Sequence, residues 1–99
     1  MKPLFVQIKC RLGEAYRVAE RICDDLEETS ELYSISGHYD LLVKFHLDEG
    51  QRVGEFVNYK LHKIEGIQET NTIIAFRLFG AAEATEIDET DFRSRIPKT

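Results

Sequence analysis

Leu32-Tyr33-Ser34-Ile35-Ser36-Gly37-His38-Tyr39-Asp40-Leu41-Leu42-Val43-Lys44-Phe45-His46-Leu47 is the stretch on which the fold turns. Tyr39, Leu41, Val43, Phe45 and Leu47 alternate with Asp40, Leu42, Lys44 and His46. That period of two puts successive side chains on opposite faces of a strand. Residues 32–36 read as a shorter strand before it, ended by the turn residue Gly37. A connection as short as Gly37-His38 predicts an antiparallel hairpin.

Upstream, Leu4, Val6, Ile8 and Cys10 alternate with Phe5, Gln7, Lys9 and Arg11, which predicts a first strand. After Gly13, the apolar positions Ala15, Val18, Ala19, Ile22 and Leu26 repeat at helical spacing, with Glu14, Arg17, Glu20, Arg21 and Asp24 turned away. The polar run Glu27-Glu28-Thr29-Ser30 is expected to stop that helix. Downstream, Asp48 and Gln51 resemble a capping box. Val53, Phe56, Val57, Leu61 and Ile64 give a second helix its inward stripe, and Gly66 is placed to end it. Residues 70–79, rich in Thr, Ile and Phe, predict the last strand.

The order β-α-β-β-α-β predicts an α+β, ferredoxin-like domain: a four-stranded antiparallel sheet with both helices on one face. Its other face would carry Phe5, Gln7, Lys9, Leu42, Lys44 and His46, with Ile73, Ala75, Arg77 and Phe79 from the last strand. This is too apolar for open water and predicts that two copies pack sheet to sheet. The alternative cover is the C-terminal tail. The domain is expected over residues 1–79 and a charged tail over 80–99, in which Ile87, Phe92 and Ile96 could dock on a neighbour.

At 99 residues and 42% hydrophobic content, one domain is the default. No run approaches the roughly 18 apolar residues of a membrane span, and Gln7 and Lys9 interrupt the start too early for a secretory signal. A cytoplasmic location is expected. Cys10 and Cys23 match no metal-ligand spacing and should both be free thiols. With 18 acidic against 13 basic residues the net charge is −5, which argues against direct nucleic-acid binding. The spacing of His38, His46 and His62 matches no metal motif. Ser36, His38 and Asp40 lie two residues apart, about 7 Å on an extended chain, too far for a nucleophilic triad. Neither catalysis, nor a cofactor, nor a metal is expected.

Two segments remain distinctive: Gly37-His38-Tyr39-Asp40 leading into an apolar strand, and Gly66-Ile67-Gln68-Glu69-Thr70-Asn71-Thr72 leading into the last one. In this order, with a helix between them, they resemble the effector-binding (RAM) domain of the Lrp/AsnC, or leucine-responsive, family of transcriptional regulators. The resemblance covers about residues 3 to 79. Relatives of this kind usually carry an N-terminal helix-turn-helix domain, so the chain is expected to be a stand-alone form.

The resemblance implies dimers formed through the sheets, rings of dimers (octamers or decamers), and amino acids bound in clefts between dimers. It also implies that Gly37, His38, Tyr39, Asp40, Gln68, Thr70 and Thr72 line the cleft. Turn amides and Thr hydroxyls can donate to an amino acid's carboxylate, and Asp40 can accept from its ammonium group. Each residue also has a purely structural explanation: a positive φ at Gly37, a half-buried aromatic at Tyr39, β propensity at Thr70 and Thr72.

The leading expectation is an amino-acid-sensing assembly module that acts in transcription regulation, joining full-length DNA-binding relatives without binding DNA itself. A small dimeric α+β-barrel enzyme, such as a cofactor-free monooxygenase, is the alternative; a structural oligomer with an empty cleft, or with an effector other than an amino acid, is a third.

Overall fold

The computed structural model describes residues 2–79. Its elements are β1 (Lys2–Cys10), α1 (Ala15–Asp25), β2 (Thr29–Ser34), β3 (Leu41–Leu47), α2 (Val53–Tyr59), a 3-10 turn (Leu61–Lys63) and β4 (Ile67–Ile74). The strands form one sheet in the order β2-β3-β1-β4, antiparallel throughout. This is the ferredoxin-like α+β arrangement that the alternation patterns predict. The expected tail, 80–99, lies outside the described residues.

The alternating patterns become the two sides of the sheet. Leu4, Val6 and Ile8 of β1 and Leu41, Val43, Phe45 and Leu47 of β3 are buried, together with Val18 and Ile22 of α1 and Phe56, Val57, Leu61 and Ile64 of the second helical layer. Phe45 and Phe56 meet edge to face at 4.8 Å between centroids, a favoured aromatic geometry. On the other side Phe5, Leu42 and Lys44 are half-buried and Ile73, paired with Phe5, is exposed. The Lys44 ammonium lies 6.0 Å from the Phe5 ring centroid.

Four boundaries differ from the sequence expectation. β2 starts at Thr29 rather than at 32, because β3 still offers partners there: Thr29 pairs with Phe45, and the His46 N–H donates to the Glu28 carbonyl at 2.8 Å. The hairpin connection is longer than Gly37-His38. It closes where the Ile35 N–H donates to the Asp40 carbonyl at 3.0 Å, so Tyr39 and Asp40 sit in the turn and not on β3.

The second helix starts at Val53 and breaks at Lys60, continuing as the 3-10 turn. Asp48 and Gln51 do bond, the Asp48 N–H donating to Gln51 Oε1 at 2.9 Å, but they make a turn ahead of the helix. Finally, β4 spans Ile67–Ile74, not 70–79. Among the described residues its only neighbour is β1, and the register puts Ile74 opposite Leu4. Beyond Leu4 only Lys2 and Pro3 remain in β1, and proline has no N–H to extend a ladder. Ala75, Arg77 and Phe79 therefore lie past the strand.

Candidate functional site

The hairpin turn is fixed to the sheet from both sides. Gly37 takes φ +104°, which suits glycine. The Asp40 N–H donates to the Ile8 carbonyl at 2.8 Å, and Asp40 Oδ2 accepts from the Cys10 N–H at 2.8 Å. That amide needs a side-chain partner because the β1–β3 pairing ends at Ile8 and Leu41, one step before it. Asp40 is thus a structural ligand of the backbone through one carboxylate oxygen, a role that the sequence reading did not foresee. Burial, and after it the Asp40 charge, push the adjacent Cys10 thiol up to about 11. Cys10 is buried at the end of β1 and Cys23 is exposed on α1, both free.

His38 reaches across the end of β1 to β4, where its Nε2 lies 2.8 Å from Glu69 Oε1. Its ring meets that of half-buried Tyr39 edge to face at 4.8 Å. Gly66 sets the start of β4: its carbonyl accepts from the Arg11 N–H at 2.8 Å, and its φ is +102°. A Cβ there would come within 2.8 Å of Val18 Cγ2, so the close packing of α1 requires glycine.

Gly37, His38, Tyr39 and Asp40 share this end of the sheet with Gln68 and Thr70, whereas Thr72 lies opposite Val6, midway along β1. Thr70 and Thr72 pair with Ile8 and Val6, which puts them on the helix side of edge strand β4. Thr70 shares a 2.9 Å hydrogen bond with His62 Nε2, and Thr72 is exposed. Gln68 is exposed where the register shifts. Glu69, opposite Lys9, is on the other side with His38. The sequence reading missed Glu69 as a partner of His38 and His62 as a partner of Thr70. The signal for Glu69 lay inside the segment already singled out.

A model of the Lrp/AsnC ligand binding domain matches residues 4–81. The chain belongs to this family. A curated relative, the HTH-type transcriptional regulator FL11 of Pyrococcus furiosus, is 29% identical over 83 residues, covering 84% of this chain and 52% of the relative. The chain thus spans about half the length of the curated relatives it matches. TTHA0845 from Thermus thermophilus is 30% identical, covering 82% of this chain and 100% of that one, with a TM-score of 0.72. At 16% identity, the regulator NMB0573 of Neisseria meningitidis, solved in complex with L-Met, shares the fold at a TM-score of 0.66, covering 77% of this chain and 50% of that one. The curated relatives of this Lrp/AsnC domain are named as transcriptional regulators, which fits a binding role better than the enzyme alternative. Among the described residues, no helix is long and apolar enough to cross a membrane.

A second polar cluster occupies the opposite end of the sheet. Glu28 is the one buried charged residue among those described. Its Oε2 accepts from Lys60 Nζ at 2.6 Å and from Gln51 Nε2 at 2.8 Å. Burial pushes this carboxyl up, but the hydrogen bonds from Lys60, Gln51 and its own backbone outweigh burial and hold it below the usual range. The Lys60 ammonium is raised in turn by its bond to Glu28. The sequence treats Glu28 as part of a helix stop and Gln51 as a cap, and nothing local joins residues 23 and 32 positions apart.

Proposed function

We propose that this Lrp/AsnC domain is an amino-acid-binding and oligomerisation module whose site, lined by Gly37, His38, Tyr39, Asp40, Gln68, Thr70 and Thr72, is completed by another copy. The observation that carries this reading is the tie between the hairpin turn and the start of β4 through Asp40–Cys10 and His38–Glu69. It leaves Gln68 and Thr72 exposed on an edge strand, half of a cleft.

Asp40 Oδ2 is held by the backbone, and Oδ1 is the atom assigned to a ligand ammonium group. Thr72 and the turn amides serve the carboxylate. The sheet face around Phe5, Leu42 and Ile73 forms the dimer, and dimers close into a ring of eight or ten subunits. Ligand occupancy shifts that assembly, and the module acts in the cytoplasm on full-length DNA-binding relatives. The L-Met complex of the Neisseria meningitidis protein is consistent with an amino acid as the effector class.

A thermal-shift screen of the twenty amino acids, run beside light scattering, tests the proposal. Ligand at 100 times its dissociation constant adds about 2.7 kcal/mol per site. For a domain of this size each kcal/mol is worth roughly 4–8 °C. No shift with any amino acid, together with a monomeric particle, overturns the reading.

A further inference from the structure

The side of the sheet away from the helices carries a bonded pair of amides beside its apolar residues. Phe5 and Leu42, on the two central strands β1 and β3, are half-buried, and Ile73, opposite Phe5, is exposed. In the neighbouring row Gln7 stands between Leu42 and Asn71, and Asn71 Nδ2 donates to Gln7 Oε1 at 2.9 Å. The charged groups around them are matched within the chain. Lys44 lies 3.6 Å from Glu31, Glu69 lies 2.8 Å from His38, and Lys9 stands opposite Glu69.

A side-chain amide has two N–H donors and an acceptor oxygen. The bond between the two side chains uses Gln7 Oε1 and one N–H of Asn71, and leaves the Gln7 amino group and Asn71 Oδ1 uncommitted among the described residues. One of these donates and the other accepts, so the pair is complementary to a copy of itself turned about a two-fold axis. Exchanging oxygen and nitrogen in both amides preserves the match. An amide covered without a partner is destabilising, so this pair disfavours any occupant of the face that brings no donor and acceptor of its own. The same face of a second copy brings both.

We infer that Gln7 and Asn71 set the register of the sheet-to-sheet dimer and select a second copy of this chain. Gln7 Nε2 of each copy donates to Asn71 Oδ1 of the other, while Phe5, Leu42 and Ile73 supply the apolar contact. This pairing presupposes the sheet-to-sheet dimer of the proposed function and adds to it the residues that choose the partner. Apolar contact alone tolerates sliding; polar groups that must meet make one alignment better than its neighbours.

Sedimentation equilibrium of Gln7→Leu, Asn71→Leu and the double variant tests it. Neither position belongs to the buried core, so the variants keep the fold. Each single variant leaves the surviving amide facing a leucine in both halves of the dimer, and is expected to weaken self-association at least tenfold. The double variant removes both amides and should associate at least as tightly as the native chain, as replacement of both polar partners by apolar groups allows. Mixing the two single variants, one of them carrying a mass tag, reads the pairing itself. In the mixed dimer one contact between Gln7 and Asn71 survives and the two leucines meet, so native mass spectrometry should show the mixed species in excess of its statistical share. A monomeric native chain overturns the sheet-to-sheet dimer and this pairing with it. A dimeric native chain overturns the pairing alone, leaving a solvated amide bond, if the single variants associate as tightly as it does, if the double variant is no tighter than the singles, or if the singles mix without preference.

Discussion

The two ends of the sheet are built on opposite plans. At the hairpin end the chain fixes its own backbone: Asp40 caps the Cys10 amide, Gly66 lets β4 pass under α1, and Gly37 shapes the turn. At the other end side chains fix one another, Glu28 gathering Gln51 and Lys60. The first plan leaves a short motif in sequence. The second leaves none, because its members are acids, amides and lysines ordinary on any surface until folding brings them together.

Glycine substitutions should separate the roles within the hairpin end most strongly. Gly66→Ala meets both a positive φ and the Val18 methyl group at 2.8 Å, and is expected to cost about 2–4 kcal/mol. Gly37→Ala has open space around its new Cβ and bears only the conformational cost of about 1–2 kcal/mol. Thermal melts of the two proteins read the difference; equal losses would mean that the α1–β4 contact is not tight.

Asp40 comes next. Asp40→Ala leaves the Cys10 N–H without its acceptor and should cost about 1–3 kcal/mol. Asp40→Asn keeps an acceptor oxygen and should cost clearly less by denaturant titration. If both cost the same, the backbone bond is not what holds the turn.

At the opposite end, the carboxyl of Glu28 is lowered in the folded chain. Its contribution is therefore complete above the ordinary glutamate range, about 4.3, and is lost as pH falls through the lowered folded value. The melting temperature of the native chain should fall more steeply below about pH 4 than that of Glu28→Gln. Parallel curves would contradict the assignment.

The smallest effect concerns the thiols. Exposed Cys23 should react quickly with a disulfide reagent, and Cys10, buried with its thiol pushed up to about 11, only on unfolding. The same shift predicts that stability from the neutral Cys10 thiol, complete below about 8.5, is lost as pH rises toward 11. Two equally fast thiols would place Cys10 at the surface.

Periodicity made the architecture legible: the alternation of Leu4 to Cys10 and of Leu41 to Leu47, and the stripes Val18–Ile22 and Phe56–Val57–Leu61–Ile64, are the core that forms. It could not set boundaries decided by a neighbouring strand. β4 stops at Ile74 because β1 runs out, although residues 75–79 have the same β-rich composition. At the candidate site Gly37 and Asp40 were legible as a motif. That Asp40 uses one oxygen on the backbone and His38 reaches Glu69 depends on the twist and register of three strands.

The most direct test of the central claim is an amino-acid thermal-shift and light-scattering comparison of the native chain with Asp40→Asn. The account predicts that at least one amino acid raises the native midpoint by several degrees and changes the particle mass, and that Asp40→Asn keeps the fold and the dimer but loses both responses. An unchanged response in Asp40→Asn would remove the carboxylate from the site, and no response in the native chain would contradict amino-acid sensing itself.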